Sequence, residues 1–285
     1  MVKTIGNPLS WIASQVGGAG AHLADVSTHL GSEAAYEEPK IRHLTTADLR
    51  EALKAGVNDF GALRTDVIFV ALIYPVVGLV LAWLAFNRDL MHLVFPVMSG
   101  FALIGPFAAI GLYELSRRRE VDGTADWLAA LQLLRSPALG AVILLGLFHV
   151  AIFAVWVGVA NLIYSTTLGP EPPASAGAFL DALTLTSAGW TMIVTGLVAG
   201  AAFAVLVLAT SVVSFPLLLD RDVGVPVAIA TSVRVARANP VIIGLWGLIV
   251  ALLLAIGSLP ALLGLIVVMP VLGHATWHLY RRAVE

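Results

Sequence analysis

Two histidines four residues apart, His274 and His278 in GHATWHLYRR, are the first candidates for chemistry. A spacing of four puts both imidazoles on one helix face, where they could ligate a metal or hydrogen-bond neighbouring helices. The zinc-hydrolase version of the motif needs a glutamate directly after the first histidine, and Ala275 stands there, so no metal site is expected. A third histidine, His149, is the only ionisable residue near the middle of a long apolar run. The helical rise brings it to about the depth of His274, so the two could hold a haem between them, or each could form an ordinary interhelical hydrogen bond. Glu114 lies one turn before Arg117, Arg118 and Arg119. It can pair with Arg118 at i, i+4, or across to His278 or Arg281 in a polar cluster at one membrane face. The chain has no cysteine, which removes thiol catalysis, disulfides and thiolate metal sites. No phosphate loop, Ser/His/Asp set or pair of intramembrane carboxylates is recognisable, so no catalytic residue is assigned and the chain reads as a non-enzyme without a cofactor, haem being the alternative.

The elements that must position these residues are membrane helices. Of 285 residues, 59% are hydrophobic and only 12% charged, which suits lipid rather than water. A net charge of -2 excludes a nucleic-acid partner, which would need a basic patch. Apolar runs at 67–86, 90–113, 138–164, 190–218, 241–257 and 260–280 are each long enough, the fifth barely, to cross a hydrocarbon core of about 30 Å. Of 16 Lys and Arg, only Arg88 falls on the side opposite the arginine triplet. That bias predicts both termini in the cytoplasm, and nothing in the first thirty residues resembles a cleaved leader. The outer 165–189 loop carries no Lys or Arg, and Ala178 to Leu185 within it suggests a short surface helix. Pro75, Pro96, Pro106 and Pro270 interrupt spans, as they do both in packed bundles and along binding sites. Gly196 and Gly200 form a small-residue face for close helix packing.

Residues 1–44 read as an N-terminal cytoplasmic arm, with a weak amphipathic helix over 7–30 and a polar linker over 31–40, and residues 45–285 as the membrane domain. TTADLREALKAGVNDF predicts a helix capped by threonine, with Leu49, Leu53, Val57 and Phe60 on one stripe. Thr46-Ala47-Asp48 with Ala52-Leu53 returns as Thr124-Ala125-Asp126 with Ala130-Leu131, and VPVAIATSVRVARANP keeps the apolar pattern at Val225, Ile229, Val233 and Ala236. Each such helix precedes two spans. The fold class is therefore an all-α membrane protein of six transmembrane helices, in three units of about 45–119, 120–222 and 223–285, each an amphipathic in-plane helix plus a transmembrane hairpin.

The segments DLREALKAGVNDF, GPFAAIGLYELSRRRE, SFPLLLDRDVG, SVRVARANP and GHATWHLYRR resemble an uncharacterised family of bacterial integral membrane proteins, over about residues 40–285. Some of its members are labelled cytochrome c oxidase subunit I. The resemblance implies a six-span inner-membrane protein and carries over no catalytic residue. A catalytic oxidase subunit needs twelve spans and several histidines for two haems and copper, and this chain has half the spans and the wrong histidines. The reading is a non-catalytic accessory, assembly or scaffolding subunit, whose partners are the bilayer and other membrane subunits, with a respiratory oxidase as one candidate complex. The alternatives are a small-molecule transporter or channel, favoured by the proline breaks, and a haem-binding redox protein.

Overall fold

The computed structural model describes residues 39–71, 75–80, 83, 91–123 and 136–285, and the described residues are helical apart from short connections. The expected helices at 7–30 and 124–135, Arg88 and part of the first span lie outside them.

Helix α1 (Thr46–Ala71) starts where the sequence predicts. Thr45 and Asp48 cap it reciprocally: the Thr45 backbone N donates to Asp48 Oδ2 at 2.8 Å while Thr45 Oγ1 accepts from the Asp48 backbone N. The expected break between this helix and the first span is absent, because α1 runs unbroken to Ala71. The second span is instead broken twice, after a 3-10 turn at Met91–Leu93, into α2 (Val94–Leu103), α3 (Gly105–Ala108) and α4 (Ile110–Asp122). Pro106 in the first turn of α3 has no N–H to continue the ladder from α2, and Gly123 ends α4 at φ +77, a conformation that suits glycine. The chain continues through α5 (Leu139–Thr167), the short α6 (Ala176–Leu185) in the loop where a helix was expected, α7 (Ser187–Ser211), α8 (Ser214–Asp220), α9 (Val225–Ala238), α10 (Pro240–Ser258) and α11 (Leu265–Ala283). Among the described residues three stretches are long and apolar enough to cross a membrane: α5, α7 with α8, and α10. They coincide with the third, fourth and fifth runs of the sequence. The sixth begins five residues later than expected, since Ala261 and Leu262 take positive φ in a tight turn after Pro260.

Packing places α1 antiparallel along α11, which also touches α4 and α10; α5 packs against α2 and α7; α9 packs against α7 and α8. The α1–α11 crossing is close. A Cβ on Gly56 would stand 2.7 Å from the Ala275 backbone N and the Val271 carbonyl, so only glycine fits. The buried face of α1 is Leu49, Ala52, Gly56 and Asp59, while Val57 is 53% exposed. The apolar stripe read from the sequence lies partly on this face: Leu49 is buried, Leu53 and Phe60 are half-buried against the core, and only Val57 turns out. Helix α9 repeats the pattern, burying Val225, Ala228, Thr231, Ser232 and Val235 and leaving Ile229 and Val233 half-buried. Ser232 Oγ accepts from the Val213 backbone N at the break between α7 and α8, which gives that interrupted ladder a partner.

One end of the bundle is closed by the segment before α1 and the C-terminus. Ile41 and Val284 form an antiparallel bridge, flanked by hydrogen bonds from Arg42 N to Ala283 O at 3.0 Å and from Glu285 N to Lys40 O at 2.9 Å. Asn239, buried between α9 and α10, accepts from Leu44 N at 2.7 Å and donates Nδ2 to Arg42 O at 3.1 Å.

Candidate functional site

The same end carries the densest polar network among the described residues, and its centre is Asp59 on α1. A carboxylate that is only 6% exposed must be fully partnered, and this one is. Ser116 Oγ donates to its Oδ2 at 2.6 Å, His278 Nε2–H donates to the same oxygen at 2.9 Å, and Arg119 Nη1 donates to Oδ1. Ser116 and Arg119 come from α4 and His278 from α11, so one side chain ties three helices. Burial works against ionisation of Asp59, but the His278 and Ser116 hydrogen bonds and the neighbouring charges outweigh it and hold its carboxyl below the ordinary aspartate value.

His274, one turn from His278, is 0% exposed and joins through Ser116, whose Oγ lies 2.8 Å from its Nδ1. Its Nε2 is buried with no hydrogen-bond partner among the described residues. The two histidines thus share a face, as their spacing requires, and reach the same carboxylate, one directly and one through serine.

Glu114 is buried, and among the described residues it is paired within its own helix. Arg117 donates Nε and Nη2 to it at 2.8 and 2.9 Å, and Arg118 Nε donates at 2.7 Å. Burial opposes its charge, yet the two arginines more than compensate and keep its carboxyl below the ordinary glutamate range. The partners once open to Glu114 are engaged elsewhere. His278 is on Asp59, and Arg281 is on Glu120 and Asp220 at 3.1 Å each. Around that pair Trp277 Nε1 donates to Glu120 at 3.0 Å and Tyr280 OH donates to Asp220 at 2.6 Å, while Arg282 reaches Glu51 at 2.7 Å.

His149 lies in a separate place, between α5 and α7. Its Nδ1–H donates to the Leu145 carbonyl at 2.9 Å, its Nε2 lies 3.2 Å from the Thr210 hydroxyl, and Phe148 and Phe215 flank the ring. Gly200 packs under Trp156 of α5, with the indole 3.2 Å from where a Cβ would be, whereas Gly196 has nothing within 4 Å. Towards the other end of α5, His92 stacks on Tyr164 with ring centroids 4.1 Å apart, and its Nε2 meets Asn161 Oδ1 at 3.1 Å. No three His, Asp or Glu side chains converge as a metal-ion site among the described residues.

Sequence reasoning missed Asp59, Ser116, Glu120, Asp220, Asn239 and His92. For Asp59 a signal existed: it stands seven residues after Ala52 and three after Gly56, on the small-residue face of its helix.

A helical bundle with three membrane-length apolar helices defines an integral membrane protein. Residues 94–220, from the start of α2 to the end of α8, match the model of a family described as a predicted integral membrane protein (DUF2189). No curated protein and no solved structure matches it. The matched stretch includes Glu114, Ser116 and the arginine triplet; Asp59, His274 and His278 lie outside it.

Proposed function

We propose that the chain is a six-span inner-membrane protein with both termini in the cytoplasm, serving as a non-catalytic accessory, assembly or scaffolding subunit of a larger membrane complex. The observation that carries this reading is the use of the ionisable side chains at the polar end. Asp59, Glu114, Glu120 and Asp220 are each engaged by arginine, histidine, tyrosine or tryptophan donors of the same chain, so the polar end joins helices together. A structural role asks for nothing more of them. His149 has partners on both ring nitrogens, which supports a role in helix packing rather than haem ligation.

The orientation rests on charge. Arg42, Arg117 to Arg119, Arg281 and Arg282 fall on one side by the positive-inside count, and the pairings Arg42–Glu285, Arg281–Glu120, Arg281–Asp220 and Arg282–Asp48 gather these arginines at one end of the bundle. The three-unit repeat is proposed on the same footing, with α9 before the α10–α11 hairpin as its third unit.

The test is purification in a gentle detergent, with mass spectrometry of what co-migrates and an absorption spectrum of the same fraction. Stoichiometric membrane subunits with a colourless spectrum are expected. A monodisperse, colourless protein alone would replace this reading with the transporter, which the doubly broken second span favours. A haem band that disappears in His149→Ala or His274→Ala would replace it with the redox protein.

A further inference from the structure

The hydrogen bonds around Ser116 have a direction. An ionised carboxylate only accepts, so at 2.6 Å from Asp59 the Ser116 hydroxyl must donate to it. The hydroxyl has one proton, and with that proton on Asp59 the oxygen can only accept from His274 at 2.8 Å. His274 therefore carries its proton on Nδ1, and neutral imidazole then leaves a bare lone pair on Nε2, the nitrogen that is buried without a partner among the described residues. The groups facing this ring are Asp59 from α1, Ser116 and Arg119 from α4 and His278 on its own helix, and the Leu112 carbonyl lies beside it. That carbonyl would favour a proton on Nε2. The charge-assisted bond from serine to Asp59 is the stronger bias, since hydrogen bonds to ionised groups exceed neutral ones.

We propose that His274, Ser116 and Asp59 form a proton relay whose inner terminal is His274 Nε2, a proton-binding site inside the bundle. A proton taken up on Nε2 makes the imidazolium. Nδ1 then releases its proton to Ser116 Oγ as the hydroxyl proton moves to Asp59 Oδ2. His274 is left neutral with its proton on Nε2, the serine is unchanged in charge, and Asp59 is a carboxylic acid. One N–H and one O–H bond break, two O–H bonds form, and no electrons are exchanged. The reverse sequence returns the proton. His278 and Arg119 are the positioning residues, holding Asp59 ionised and aimed at the serine. Chains of acidic and imidazole groups serve as proton relays in other membrane proteins. The relay goes beyond the scaffold reading and does not depend on it.

The experiment is nitrogen NMR of the full chain, labelled with ¹⁵N-histidine and held in lipid bilayers, with His274 assigned by its loss in His274→Gln. At neutral pH the expected state is the Nδ1–H tautomer with unprotonated Nε2. On acidification, across the range where the helix signals stay folded, Nε2 takes up a proton. Ser116→Ala removes the acceptor of Nδ1–H and switches the ring to the Nε2–H tautomer, and Ser116→Thr, which keeps a hydroxyl, restores the native one. An Nε2–H tautomer in the unaltered protein, or a His274 that stays neutral wherever the protein is folded, overturns the proposal without any variant. So does a Ser116→Ala ring that keeps its proton on Nδ1.

Discussion

Asp59 accepts from Ser116, Arg119 and His278 at once, and losing it would take the shared acceptor from a buried serine, a half-buried arginine and a half-buried histidine. Removing one member of such a pair costs about 3 kcal/mol. Asp59→Asn is expected to destabilise the fold by that order and so to lower the thermal midpoint in detergent by several degrees, and a midpoint within 1 °C of the parent would show that the network does not hold the helices. Glu114→Gln should also destabilise, with no absorbance band lost, because its two arginines lose a shared acceptor. Both carboxyls sit below their ordinary values in the folded state, so their stabilisation is complete above the unfolded values of about 4. It is lost as pH falls through the lower folded values. Thermal unfolding between neutral pH and about pH 3 should show that loss in the parent and a flatter profile in Asp59→Asn; identical profiles would contradict the assignment. The pairing of Glu114 with Arg118 was legible in the sequence, because it is local and obeys helical spacing. Asp59 was not, because its partners lie 57 to 219 positions away.

At the scale of the element, membrane helices reverse the rule that reads soluble ones. Lipid is as apolar as leucine, so large apolar side chains gain little by turning inward, and small or polar residues mark the contact face instead. Helix α1 turns Ala52, Gly56 and Asp59 into the bundle and leaves Val57 out; α9 turns in Ala228, Thr231 and Ser232. A stripe chosen by hydrophobicity alone finds part of the contact face, as at Leu49 and Val225, and misses the small and polar residues between them. The long apolar runs were legible for the opposite reason, since length and composition, with no choice of face, suffice to place α5, α7 and α10. Gly56→Leu should separate α1 from α11 and cut the folded yield sharply, while Gly196→Leu, at a position with open space around it, should be tolerated. Fluorescence-detected gel filtration of the two variants decides this, and equal yields would mean that the close crossing is not needed.

Among the described residues the polar end is made by the 40–44 segment together with the C-terminus and the ends of α1, α4 and α8. The 40–44 segment lies beside the C-terminus, and the ion pairs of Arg281 and Arg282 bind α11 to Glu120, Asp220, Asp48 and Glu51 from three other helices. The loop before α7, with the short helix α6, holds no Lys or Arg. The central claim is that this polar end faces the cytoplasm and that loop the opposite side. Single cysteines at Ser175 and Glu285, both exposed and in a chain that has no cysteine of its own, test it directly. In intact cells a membrane-impermeant maleimide should label Ser175→Cys and leave Glu285→Cys unlabelled until the membrane is opened. Labelling of both cysteines from the same side would contradict the account.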